Sequence, residues 1–181
     1  MPERILAIDV GRDVGWATGS LGDPAPGQWG TIRLPGTSVR DIVGARMDQL
    51  DEWLAESMHA WGTSVVVLAE RFRARTMREA SASLALDGLV RMHAYRRECR
   101  MLCQPENTVR KEMLGRGSGK SDEMKRLAIN WCHNHSLEVG NDHEADACVM
   151  WVWANRELLK TVIQPITSER SRDRRRSPAG P

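Results

Sequence analysis

Apolar residues along this chain fall into short unbroken runs near the start and into longer stretches of helical period afterwards. Residues 4 to 9 (RILAID) read as a buried strand that ends in an acid. Residues 14 to 20 and 28 to 33 read as two further strands, with Gly and Pro turns between them, giving a three-stranded meander. Residues 38 to 60 then place Ile42, Val43, Met47, Leu50, Leu54 and Met58 at helical spacing. Residues 64 to 69 (SVVVLA) are continuously apolar and β-branched, as a central parallel strand covered on both faces requires. A helix is predicted over 76 to 97, a fifth strand over 99 to 103, and a short helix starting at Pro105 and ending near Leu114. The Gly-rich GRGSGKS follows, then helices over about 121 to 135 and 142 to 160. The pattern predicts an α/β fold: a mixed five-stranded sheet with helices on both faces.

The length of 181 residues suits one domain, which we place at 1–163. Beyond Pro165 the composition turns to Ser, Arg and Pro, so residues 164–181 are expected to form a disordered basic tail. The most apolar stretch, VVVLA, is far too short to span a bilayer, and a cytoplasmic protein without a membrane partner is expected. Cys99, Cys103, Cys132 and Cys148 contain no CxxC pair, which argues for reduced thiols and against a zinc knuckle.

Net charge is only +2, but it is unevenly placed. Residues 71 to 126 carry fourteen Lys or Arg against seven acids, whereas residues 1 to 70 carry five against ten and residues 127 to 167 two against five. A basic segment between two acidic ones suggests a polyanion held against metal-binding carboxylates.

The acids themselves fit that chemistry. Asp9 ends the first strand, and Gly11 and Gly15 after it relax the backbone so that a phosphate or metal could approach. Glu70 ends the buried VVVLA strand, where a charge needs a partner. If the two strands are parallel neighbours, both carboxylates emerge at one sheet edge. In NDHEADA, His143 and Asp146 are three apart and face one way on a helix, while Asp142 is best read as that helix's N-cap. Three or four such groups suffice for Mg²⁺, and two ions roughly 4 Å apart stabilise both oxygens of an in-line phosphodiester hydrolysis.

These motifs carry a resemblance. ILAIDVGRDVGWATG, VVVLAERF, VRKEMLGRGSGKSDEM and HEADA resemble, in this order, the four motifs of RuvC-type Holliday junction resolvases of the RNase H-like superfamily, and they span residues 5 to 150. The resemblance implies an RNase H-like fold and a homodimeric endonuclease that cleaves branched DNA with Mg²⁺, or Mn²⁺ as a substitute. It implies Asp9, Glu70, His143 and Asp146 as catalytic metal ligands. Arg110 and Lys120 fall where that family places DNA-contacting lysines, and Lys111 and Arg116 belong to the same basic segment. Arg71, Arg73 and Arg75, directly after Glu70, are expected on phosphates. Phe72 stands near the family's base-stacking aromatic, though closer to Glu70 than the family's spacing. The alternatives are a nuclease of the same fold without junction specificity and a catalytically silent nucleic-acid-binding module.

GRGSGKS is not a P-loop: Leu114 stands where the motif needs Gly, and the segment follows a helix rather than a strand. Trp131, Trp151 and Trp153 are expected as packing anchors, since the chain has one Phe and one Tyr.

Overall fold

A computed structural model describes residues 2–36, 42–70 and 77–163. Three strands come first, β1 (Arg4–Asp9), β2 (Asp13–Ser20) and β3 (Gln28–Arg33), followed by helix α1 (Ile42–Trp61). Strand β4 (Val65–Glu70), helix α2 (Met77–Arg96), strand β5 (Arg100–Pro105) and helices α3 (Glu106–Leu114), α4 (Ser121–Asn134) and α5 (Asp142–Ile163) complete the order. The sheet runs β3-β2-β1-β4-β5. β1, β2 and β3 pair antiparallel, and β1, β4 and β5 pair parallel. The mixed five-stranded sheet expected from the apolar runs is therefore present. Arg71, Phe72, Arg73 and Arg75, the start of the first helix and the tail at 164–181 lie outside the described residues.

One boundary differs from expectation. Pro105 closes β5 in an extended conformation (φ −56°, ψ 132°) instead of opening the helix. β5 is an edge strand, where a residue without an N–H is tolerated.

The sheet separates two cores. Leu6, Ile8, Val66 and Leu68 pack with Leu50, Leu54 and Met58 of α1 and Leu86, Leu89 and Val90 of α2. On the other face Ile5, Ala7, Val65, Val67 and Ala69 pack with Val109 of α3, Ala128 and Cys132 of α4, and the length of α5. This two-sided cover explains why β1 and β4 are apolar at successive positions rather than alternate ones. All four thiols are free, and Trp151 and Trp153 are core residues as anticipated.

α5 lies unusually close to β2. A Cβ built on Gly15 would stand 2.0 Å from the His143 carbonyl oxygen, and one on Gly19 would stand 2.8 Å from the Trp151 ring. Gly15, Ala17 and Gly19 share one face of β2, so the strand offers the helix a shallow trough. At the upper end of the trough the helix is capped by Asn141, whose Oδ1 accepts the Glu144 N–H at 3.0 Å. Glu144 in turn accepts the Gly140 N–H at 2.7 Å. The cap is thus Asn141, not Asp142 as the sequence suggested, because the side chain one residue earlier reaches the N–H of the first turn.

Gly15→Ala tests the trough. The methyl has backbone rather than a flexible side chain to displace, so unfolding in urea should show a loss of about 3 kcal/mol, at the upper end for overpacked cores. Gly88→Ala in α2, where a Cβ meets nothing within 4 Å, should instead be neutral or stabilising by up to about 1 kcal/mol. Equal effects at both positions would show that close approach is not what Gly15 provides.

Candidate metal centre and nucleic-acid interface

β1 delivers Asp9 to the sheet edge directly opposite Gly15 of β2. Its side chain follows Ile5 and Ala7 onto the α5 face and is 1% exposed. Because Gly15 admits the backbone of His143, the first two turns of α5 come down beside this carboxylate. Sequence reasoning assigned Gly15 to the approach of a phosphate or metal; in the structure the close approach is made by α5 itself.

Asp9 and Asp146 line a small cleft with Glu106, Val109 and Arg110 of α3. Its volume of about 20 Å³ is room for one water-sized occupant. Arg110 closes one side with a two-pronged contact to Asp146, Nε to Oδ1 at 3.3 Å and Nη2 to Oδ2 at 2.8 Å. The same guanidinium reaches Glu106 Oε1 at 2.6 Å. Burial works against its charge, but Asp146 and Glu106 outweigh that and hold it above its ordinary value. Asp146 is pushed up to about 6, first by burial and then by the nearby Asp9 carboxylate, against the pull of Arg110.

His143 Nδ1 stands 4.0 Å from Asp9 Oδ2, and Nε2 stands 3.8 Å from Asp13 Oδ2. The Asp9 carboxylate facing the ring raises its pKa, burial opposes this, and the charges of Asp142 and Asp13 add to the rise. Asp142 bonds Lys125 of α4 at 2.8 Å. Burial pushes its carboxyl up, yet Lys125 and His143 prevail and hold it below the usual range.

Glu70 is not brought into this group. β1 and β4 are parallel, with Ile8 against Leu68, so Asp9 and Glu70 do leave the sheet at one edge. Alternation, however, puts Glu70 on the face of Val66 and Leu68, towards α2, where Oε1 accepts a bond from Arg91 Nη2 at 3.2 Å. Among the described residues no three His, Cys, Asp or Glu side chains stand ready to hold a metal ion. The donor set around Asp9 nonetheless fits a hard divalent cation. Asp9 and Asp146 share a cleft in which burial, and then the Asp9 charge, push Asp146 up, and a cation there would relieve both.

Of the basic residues singled out, Lys111, Arg116 and Lys120 are exposed on α3 and the loop that follows it, Arg116 pairing with Glu123. Arg110 is spoken for by the acids. Lys125 and Arg126 extend the basic surface onto α4, beside the start of α5.

No protein-family model and no curated protein matches the chain. Solved structures do. The chain is similar to Thermus thermophilus RuvC, at a TM-score of 0.67 and 17% identity over 87% of this chain and 97% of that one. It shares the RuvC fold. The similarity to the same protein in complex with a Holliday junction substrate has a TM-score of 0.66, at 17% identity over 88% and 97% of the two chains. For the yeast mitochondrial Holliday junction resolvase Ydc2 the score is 0.59, at 14% identity over 88% and 81%.

Within this RuvC fold the structure assembles Asp9, His143 and Asp146, and adds three residues that sequence reasoning missed as neighbours of the acids. Glu106 and Arg110, four apart on a helix, were legible as an ion pair. Asp13 fell one residue before the strand expected from 14 to 20, although it shares strand parity with Gly15.

The raised Asp146 has a consequence for the metal-free protein. An acid whose folded value exceeds its unfolded one holds its proton longer in the native state, so native stability falls as pH rises from about 4 to about 6. His143, also raised, contributes stability below its ordinary value that is lost as pH climbs through its folded one. Denaturation in chelator should show the difference in stability between the wild type and Asp146→Asn shrinking or inverting by on the order of 2 kcal/mol across that first window. A difference that stays constant there would remove the electrostatic account of Asp146.

Proposed function

We propose that the protein is a divalent-metal-dependent endodeoxyribonuclease acting on branched DNA, Holliday junctions among its substrates. The observation that carries this reading is the descent of α5 onto β2, which sets His143 and Asp146 beside a buried strand-end Asp9. The fold shared with RuvC, whose junction complex is known, supports DNA as substrate. The basic surface of α3, the 115–120 loop and α4 adjoins the acids, as a phosphate backbone running past a metal centre requires.

Asp9 and Asp146 would hold Mg²⁺ or Mn²⁺, with His143 Nδ1 as the nitrogen ligand. Glu70 would complete the set on exchanging Arg91 for the metal side of the edge. Ions held there would supply charge neutralisation at the phosphate and an activated water. Arg110, with Asp146 and Glu106 on either side, keeps those carboxylates paired and excludes bulk water from the cleft. Lys111, Arg116 and Lys120 would contact phosphates. A homodimer matches a junction with two symmetric strands to cut.

In cleavage assays on four-way, three-way, flap and linear DNA, Asp9→Asn and Glu70→Gln should each lose at least about a thousandfold in rate, the scale of one preorganised electrostatic partner, while junction affinity holds. Near-normal Mg²⁺-dependent cleavage by Asp9→Asn would sink the reading, and by Glu70→Gln alone would leave Glu70 with Arg91. An imidazole is a softer ligand than a carboxylate, so Mn²⁺ should support at least the activity of Mg²⁺, and His143→Asp should shift preference towards Mg²⁺. Titrating both metals on both proteins checks this.

Lys120→Ala and Lys111→Ala should each flatten the slope of log affinity against log salt by about one unit. Fluorescence anisotropy at several salt concentrations measures it. Unchanged slopes would move the DNA surface elsewhere.

A further inference from the structure

The imidazole of His143 stands between two carboxylates. Nδ1 faces Asp9 Oδ2 at 4.0 Å, and Nε2 faces Asp13 Oδ2 at 3.8 Å. Asp13 comes two positions before Gly15 on the same face of β2, so the trough that admits the His143 backbone also sets this acid against the far side of the ring. On its other side Asp13 Oδ1 is buried without a hydrogen bond and lies 3.8 Å from Nε of Arg33, whose side chain is 87% exposed. An exposed guanidinium at that distance is a weak tether. The fixed neighbour of Asp13 is the ring.

A neutral imidazole has one N–H and one lone pair, and which nitrogen is free for a metal is decided by the partner of the other. We propose that Asp13 is a positioning residue whose carboxylate accepts the His143 Nε2–H and thereby presents Nδ1, the nitrogen beside Asp9, to the divalent ion. This rests on the metal-dependent reading above and adds to it a residue outside its ligand set. A movement of about 1 Å brings the Asp13–His143 pair to hydrogen-bond distance. The ring separates Asp13 from Asp9, so Asp13 serves the ion through His143 and not as a ligand itself.

The test is a double-mutant cycle on Mn²⁺ affinity, read from the electron paramagnetic resonance signal of free Mn²⁺ with the full chain and no DNA. Asp13→Ala and the isosteric Asp13→Asn, each confirmed folded by thermal unfolding, should weaken Mn²⁺ binding by about tenfold, the usual effect of removing a partner of a ligating histidine. In a His143→Ala background the same substitutions should cost nothing further. Equal losses in both backgrounds would make Asp13 a ligand or a general structural support, and no loss in either would leave it without a role; each result overturns the proposal. Asp9→Asn separates the two readings. If the wild type shows no Mn²⁺ binding sensitive to Asp9→Asn, the metal centre itself falls, and the positioning role with it. If that binding is present and the cycle shows no coupling, only the positioning role falls.

Discussion

Everything at the site depends on how near α5 can come to β2. At Gly15 the helix backbone occupies the space where any side chain would begin, with the His143 carbonyl oxygen 2.0 Å from an added Cβ. Asp9 stands directly across from that same glycine in the β1–β2 register. A single missing methyl therefore links two requirements, a closely packed layer of helix on sheet and a set of acids at one point of the sheet edge. The capping residues Asn141 and Glu144 fix where the helix starts, and Thr31 of β3 ties that cap back to the sheet through Asn141 Oδ1 at 3.1 Å. The register of the first turn is held from both ends.

Close packing of acids carries an electrostatic cost, and the chain offsets it internally. Arg110 spans Asp146 and Glu106, Lys125 answers Asp142, and Arg91 answers Glu70 on the opposite face. Each cation comes from a helix on the same side of the sheet as its acid. Compensation is incomplete in the cleft, where burial and Asp9 push Asp146 up to about 6 despite its two-pronged contact with Arg110. Residual repulsion between partly buried carboxylates is what a divalent ion relieves, which is why the same arrangement that weakens the metal-free protein favours the loaded one.

Most of the architecture was legible in the sequence because the two cores impose strong and different patterns. Strands covered on both faces must be apolar throughout, and ILAI and VVVLA are. Asp9 and the His143–Asp146 pair were legible for a related reason: an acid ending a buried strand, or two ligands one helical turn apart, has few other uses. What escaped depended on parity and on one-residue differences. Glu70 sits two positions beyond Val66 and Leu68's face pattern, which already pointed it towards α2, but edge position was easier to read than face. Asp13 lay outside the strand as predicted from 14 onward, so its alignment with Gly15 was invisible. The N-cap fell on Asn141 because Asn and Asp compete equally for that position, and only Lys125, seventeen positions earlier on a different helix, drew Asp142 elsewhere.

The trough has a further property of scale. α5 touches β2 at Gly15 through His143 and at Gly19 through Trp151, so eight residue steps of helix are laid along four of strand. At ~1.5 Å and ~3.3 Å per residue the two spans are about 12 Å and about 13 Å. Helix and strand are thus commensurate over this interval, like two rulers whose marks coincide at both ends. An insertion in the turn after β2 leaves the coincidence intact. One added or removed residue between the two contacts, on either ruler, would slide a side chain over a position built for none, and the acids would part company with the helix that serves them.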